Sequence, residues 1–409
     1  MEREPLGLAY SGDGVNTAIF RVGAIETAGE HQFVTYYAPD GRVVVGHRKA
    51  GQAQWDLAVQ NFYGRVSDAH NVVVLGVSSD GIVHLAYDHH GDALNYRVSG
   101  KPFDNRSFGE RRAMTGRHED HVTYPQFMRS PEGTLYFFYR DGKSGNGSLC
   151  LNRYDVATQS WKALQHPLID GEDKCNPYSW RPAMGADGSI HIAWCWRDTP
   201  DAGTNHDLCY AKSNDGGHTW FRSDGSPQPL PITQENAEVV LAIPKGSNLI
   251  NQCSAAADGT GHPHLAEYMN DETGTPQYFD VWFDGAKWRK SQVSHRTSKF
   301  SLSGGGSLAI PISRPEIAMG RSGTVSLITR DVDLGGGIRF YQATAPYEQW
   351  KAVDITDENL GNWEPSYDLT ALRDTGVLNL FVLHVQQGNH ERTTDLPPQE
   401  AAILRIPLP

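Results

Sequence analysis

Tyr178 and Arg197 are the residues whose placement first suggests chemistry. They flank two apolar runs on either side of Asp187-Gly188, a dipeptide that supplies the positive φ angles of a tight hairpin turn. Pairing geometry about that turn predicts the phenol and the guanidinium opposite each other at the open end of the hairpin. Alone, such a pair is a cross-strand cation–π contact. It gains weight from the other residues expected at strand ends: Asp68 and His70, His89 and His90, His121, Tyr124, Arg140, Asn176, Asn251, Arg330 and Trp363. Arginine suits a carboxylate through its bidentate fork. Histidine and tyrosine suit proton transfer, tyrosine when nearby cations lower its pKa. One reaction uses all three, β-elimination at a uronic acid: arginine neutralises the carboxylate, a base removes the proton at C5, and an acid protonates the departing glycosidic oxygen. Hydrolysis wants two carboxylates at a set separation, whereas the rim carboxylates here have arginines beside or near them.

The elements that must position these residues repeat along the chain. Turn pairs recur at Asp40-Gly41, Asp80-Gly81, Glu132-Gly133, Asp187-Gly188, Asp258-Gly259, Ser322-Gly323 and Asp374-Thr375-Gly376. After six of them comes a readable strand, such as I-V-H-L-A-Y or S-I-H-I-A-W, and an aromatic opens the outer strand in most repeats: Trp55, Phe108, Trp161, Trp220, Trp288 and Trp350. A repeat of about 40 to 70 residues with about four short strands is the signature of a propeller. The expected fold is all-β: one seven-bladed propeller of four-stranded antiparallel blades over residues 1–409, its ring closed between N- and C-terminal strands. The run V-N-T-A-I-F-R-V, beside or within the last blade, is the expected closing element. In such a blade the start of the first strand and the link between the second and third share one face. That face collects the His, Tyr and Arg residues, while the other receives mainly Asp-Gly turns. The Ser- and Gly-rich stretch from Ser294 to Gly306 is a candidate lid.

Composition narrows the partners. A net charge of −12, with no lysine- or arginine-rich block, argues against nucleic acid, and no apolar run approaches the roughly 18 residues of a membrane span. A monomer is expected. The opening Met-Glu-Arg-Glu-Pro lacks the basic and apolar segments of a secretory signal, which leaves a cytoplasmic protein or one whose signal has been removed. Five cysteines are too few for a disulfide framework. Cys195 and Cys209 can face each other across a hairpin, and buried free thiols are the alternative.

Two motifs carry resemblances. Ser213-Asn-Asp215-Gly-Gly217-His-Thr219-Trp220 fits the S-x-D-x-G-x-T-W pattern and resembles the Asp-box of sialidase-like propellers. The runs A-Y-D-H-H-G, H-V-T-Y-P-Q-F, F-F-Y-R-D-G-K-S-G-N-G, W-R-D-T-P and T-N-H-D-L-C-Y-A-K-S look like those of propellers with BNR-type repeats, among which the seven-bladed ulvan lyases are the functional group most similar. The resemblance covers roughly residues 60 to 300. It implies a lyase acting on an acidic polysaccharide, with a His pair, a Tyr and an Arg as its machinery. The matching positions are His89 or His90, His121, Tyr178 and Arg197; His90 lies as far from its turn as Arg197 from its own and is taken as the catalytic one, with His89, Tyr124, Arg140, Asn176, Arg330 and Trp363 as substrate-binding candidates. The chemistry calls for no cofactor. His206, Cys253 and His264 form a possible structural zinc set lacking a fourth ligand, since Cys253 and His264 are expected as cross-strand neighbours about Asp258-Gly259 and some resembling lyases hold a structural metal in such a place. A buried thiol beside hydrogen-bonded histidines is the alternative. Rival readings are a sialidase-like or rhamnosidase-like hydrolase, with Arg140, Arg197 and Arg330 as a carboxylate-binding triad, and a non-catalytic propeller that binds acidic glycans.

Overall fold

The computed structural model describes residues 1–49 and 52–408. Seven antiparallel sheets follow one another along the chain and form a seven-bladed β-propeller. Blades one, five and six each have four strands in sequence order. Blade five, for example, runs Ser254–Ala257, Pro263–Asn270, Pro276–Phe283 and Trp288–Gln292. Blade two has three strands and a fourth reduced to the Ser99–Phe108 bridge. Blade three gains an innermost fifth strand, His90–Asp92, paired to Val122–Arg129. The ring closes in blade seven, where Glu2–Ala9 pairs with Gln399–Pro407, which pairs with Val377–Val382; Tyr367 bridges to Leu380 on the inside.

The closing element is therefore Glu2–Ala9 and not V-N-T-A-I-F-R-V. Residues 15–22 form buried turns without strand pairing, and Thr17, Ala18 and Phe20 line the central pocket instead. The repeat pattern also slips at both ends. Asp40-Gly41 joins the second and third strands of blade one, His31–Tyr37 and Arg42–Lys49, and not the first and second. Asp374-Thr375-Gly376 ends a short helix, Leu369–Thr375, with Gly376 at φ 74° as its C-cap.

Aromatics at the outer strands join blades. Trp161 donates Nε1–H to the Tyr96 hydroxyl of the preceding blade at 2.9 Å, Trp288 to Ser223 at 3.0 Å, and Trp350 to Ser291 at 3.0 Å. Each indole buries its apolar body and finds one polar partner across the seam, which is how a thin sheet acquires a neighbour. In the Asp215 loop the carboxylate accepts from the backbone N–H of His218 and Thr219 at 3.0 and 2.9 Å, while Trp220 is buried.

Two registers differ from the simple hairpin expectation. In blade four the loop spans Ala186 to Gly188, closed by Gly185 N–H to Ser189 O at 2.8 Å, and the inner strand is broken into Asn176–Ser179 and Ala183–Met184. Pro182 has no N–H to give, and Arg181 turns its own N–H to Cys253 O of the next blade at 3.0 Å. As a result Asn176 faces Arg197, and Tyr178 faces Cys195. In blade five the loop likewise lengthens, with Asp258 N–H to His262 O at 2.9 Å, so His264 faces Ala256 and Cys253 lies before the inner strand. Cys209 sits opposite Trp194, which turns it to the other face from Cys195, and all five cysteines are free and buried.

Candidate functional site

The pocket at the axis is built from strand starts and second-to-third links, as the rim argument predicts. Tyr178, Arg197, Tyr124, Arg140, His90 and Arg330 all line it, with Arg314, Glu364, Ser144 and Asn251. Although Tyr178 and Arg197 are not direct cross-strand partners, they are diagonal neighbours on one face. The Arg197 Nη1 group donates to the Tyr178 hydroxyl at 3.1 Å, and its Cζ stands 4.2 Å from the ring centroid.

Arg197 is held without being neutralised. Its Nε donates to Asn205 Oδ1 and its Nη2 to Asn251 Oδ1, each at 2.6 Å, so its partners are amides and a phenol. Arg140 donates to Thr123 Oγ1 at 2.9 Å and lies over the Tyr124 ring at 4.8 Å. Both guanidiniums are buried, which strengthens their field. Tyr178 feels it: burial pushes the phenol pKa up, but Arg197, Arg140 and a 2.8 Å hydrogen bond with Ser144 outweigh burial and bring it down to about 8. Tyr124, by contrast, is pushed up by burial and by its neighbour Tyr178. Its φ of 56° marks a β-bulge between Thr123 and Gln126 in blade three, and its ring joins the pocket wall there.

The other arginines are spent. Arg314 grips Glu364 with Nε at 2.7 Å and Nη2 at 2.5 Å, and Arg330 donates to the carbonyls of Trp363, Pro311 and Ile310. Arg330 thus props the loop that follows Ser294–Gly306 and is not a free member of an arginine triad. The Ser294–Gly306 stretch reaches the pocket with Leu302 and Gly306, and the loop after it with Ser307 and Leu308.

The adjacent histidines separate cleanly. His89 is fully buried, accepts Asn95 N–H at 2.7 Å, and is pushed down to about 3 by burial, which keeps it neutral and out of the pocket. His90 lines the pocket, its Nδ1 2.6 Å from Asp68 Oδ2. His121 is exposed on the rim, with Nδ1 3.4 Å from Gly91 O, and does not line the pocket. Asn176 is buried opposite Arg197, and its side-chain amide has no hydrogen-bond partner among the described residues. Trp363 is buried in the blade-seven core and donates to Phe381 O at 2.9 Å, so it offers substrate no stacking face.

The proposed zinc corner is not assembled. Among the described residues His206, Cys253 and His264 do not form a group within ligating reach. His206 spans Asp198 and Asp207 at 3.1 and 3.0 Å, His264 pairs with Asp280 at 2.9 Å, and burial raises the Cys253 thiol well above its ordinary pKa. The three-residue slip in blade five explains the miss.

The sequence singled out neither Ser144 and Asn205, which hold Tyr178 and Arg197, nor Phe20 and Glu391 beside His70, and it placed Asp68, His70 and Asn251 among the strand-end residues without a task of their own. Ser144 and Asn205 lie in quoted runs, K-S-G-N-G and T-N-H-D, so a signal existed. Glu391 is far from His70 in sequence and left none. The opposite mouth of the channel holds a cavity of about 330 Å³ whose lining mixes small and apolar residues such as Ala255, Ala256 and Met319 with charged ones, among them Arg181, which is tied to Glu316.

The fold and the pocket define a seven-bladed β-propeller with a cationic, tyrosine-bearing axial site. The chain belongs to the BNR repeat-containing family, which it matches over residues 31–296. Relatives include an ulvan lyase of Alteromonas sp. (strain LOR), 25% identical over 300 residues covering 63% of this chain and 59% of the relative, and an ulvan lyase of Nonlabens ulvanivorans, 25% identical over 270 residues covering 56% and 55%. The chain thus spans little more than half the length of either. Among solved structures, a PL25 ulvan lyase bound to -[GlcA(1-4)Rha3S]- superposes with a TM-score of 0.74 at 16% identity over 94% of this chain and 97% of that one. Polysaccharide lyase Uly1 superposes with 0.73 at 15% identity over 98% and 99%. Among the described residues no helix is long and apolar enough to cross a membrane.

Proposed function

We propose that the axial pocket is the active site of a polysaccharide lyase that cleaves a uronate-containing, ulvan-like glycan by β-elimination. One observation carries the reading: a buried arginine whose fork is held only by neutral groups touches a phenol brought into the physiological range. Arg197, with Arg140 beside it, binds the carboxylate and stabilises the enolate-like charge that forms when the C5 proton leaves. Tyr178 is the proton-transfer residue on that wall and His90 the second, across the pocket. The C5–H and C4–O bonds break, a C4=C5 double bond forms, and the glycosidic oxygen leaves with a proton; no water is consumed. The names of the relatives support the substrate class. Against hydrolysis, Glu364 is the one carboxylate residue among the described residues lining the pocket, and Arg314 holds it, whereas hydrolysis needs two.

The test is an incubation with ulvan and other uronate polymers. Elimination gives the ultraviolet absorbance of a conjugated unsaturated uronate together with new reducing ends. Reducing ends without that absorbance would mean a hydrolase, and binding without either a lectin.

A further inference from the structure

Behind His90 lies an array that the proposed reaction does not itself use. Asp68 Oδ2 is 2.6 Å from His90 Nδ1, and Asp68 Oδ1 is 2.9 Å from His70 Nδ1 while also accepting His70 N–H at 2.9 Å. His70 Nδ1 also lies 3.3 Å from Glu391 Oε1, and Glu391 Oε1 accepts Ser307 N–H at 2.8 Å. Glu391 therefore ties the loop over the pocket to the start of blade two.

These donor atoms fall within 4.8 Å of one another, the size of a metal cage. The rings exclude one in this arrangement. His70 and His90 are stacked 3.9 Å apart at 12° between planes. An imidazole lone pair lies in its ring plane, so two nearly parallel rings cannot both direct one at an ion about 2.0 to 2.1 Å away. What the stack does allow is two Nδ1–H groups donating to the two oxygens of one carboxylate.

We propose that Asp68 is the positioning residue of this pocket: it takes the Nδ1 proton of His90, which fixes the tautomer whose Nε2 lone pair is free. An imidazole's second nitrogen is set by the bond the first one makes. His70, raised to about 9 by its hydrogen bonds to Asp68 and Glu391 although burial opposes it, supplies the charge that keeps Asp68 ionised. The groups facing His90 are Asp68, the stacked His70, and Asp92, which accepts the His90 backbone N–H at 3.0 Å and is itself paired to Arg65; Glu391 and the buried Asp13 lie behind His70.

The catalytic half of the inference rests on the lyase reading, but the tautomer does not. Nitrogen-15 NMR of histidine-labelled native chain reads it directly: His90 is expected with its proton on Nδ1, and Asp68→Asn should lose that preference. Glu391→Gln, which leaves the Asp68 to His90 contact intact, should keep it. On a cleaved substrate, Asp68→Asn should lower kcat roughly 10- to 100-fold, as loss of an orienting partner does, with KM little changed and the pH–rate profile displaced. A proton on Nε2 in the native chain would overturn the proposal even if Asp68→Asn failed to fold, as would an Asp68→Asn variant with native tautomer and native rate. Absence of cleavage on any uronate polymer would sink the lyase reading and leave the NMR result to decide the role of Asp68.

Discussion

The two walls of the pocket handle charge in opposite ways. On the wall from blades three and four, Arg140 and Arg197 are buried with hydroxyl, amide and phenol partners, and their positive charge stays available. On the wall from blade two and the C-terminal loop, Asp68, His70, His90 and Glu391 are partners of one another, at 2.6 and 2.9 Å from Asp68 to the two histidines and 3.3 Å from His70 to Glu391. A buried charge without a counter-ion costs several kcal/mol, and a fold keeps one where a ligand of opposite charge completes it. The paired wall is self-contained and presents His90 to the pocket in one fixed orientation. On the proposed reading, the first wall binds the anion and the second holds the histidine.

The sharpest way to break this contrast is Tyr178→Phe. It keeps the buried ring but removes the proton and should cost the roughly 10²- to 10⁴-fold of a lost general acid or base, with a melting temperature close to the native one. Next in size, Arg197→Lys should lower kcat/KM by more than about 10-fold, because a point charge cannot hold both asparagines and a carboxylate fork. Arg330→Lys, which loses only carbonyl contacts, should act mainly through the melting temperature. Equal losses of activity from these two substitutions would erase the distinction between free and spent arginines.

A third effect is in pH. If the phenolate is the working form, kcat/KM rises with pH through about 8, the pKa at which Tyr178 sits. In Arg197→Lys the limb should move upward, since the shorter side chain loses the Nη1 contact that holds the charge against the phenol. A limb unchanged by that substitution would detach it from Tyr178.

The smallest effect lies outside both walls. Glu267 is fully buried, neither carboxylate oxygen has a hydrogen-bond partner among the described residues, and burial raises its pKa from 4.5 to about 8. The folded chain keeps a proton there that the unfolded chain loses above about 4.5, so this residue makes stability fall as pH rises from about 4.5 to 8. Glu267→Gln should flatten that fall in melting temperature over the same window. A variant with the native slope would show that Glu267 does not contribute to it.

The blade count and the chemical rim were legible because both rest on local pattern: a turn pair, a strand, then a polar residue at its end. What failed was register. Three-residue loops replaced the two-residue turns assumed at Asp187-Gly188 and Asp258-Gly259, and Pro182 broke the inner strand of blade four. Tyr178 and Arg197 still met, because a two-residue slip keeps both side chains on the same face. Cys253 and His264 did not, because an odd slip carries a side chain to the other face. His90 could be favoured over His89 only by its distance from the turn; what separates them is that His89 lies between strands and turns inward to Asn95, while His90 opens the strand His90–Asp92 at the pocket. Glu391 was invisible, since its partner His70 lies at the other end of the chain.

The central claim, that the unneutralised arginine wall holds Tyr178 ready to ionise near neutral pH, can be measured without any substrate. An ultraviolet difference titration of tyrosinate, native chain minus Tyr178→Phe, should show one phenol ionising at about 8, below the ordinary 10. The same step should move upward in Arg197→Lys. A difference spectrum in which no phenol ionises below about 10 would contradict the account.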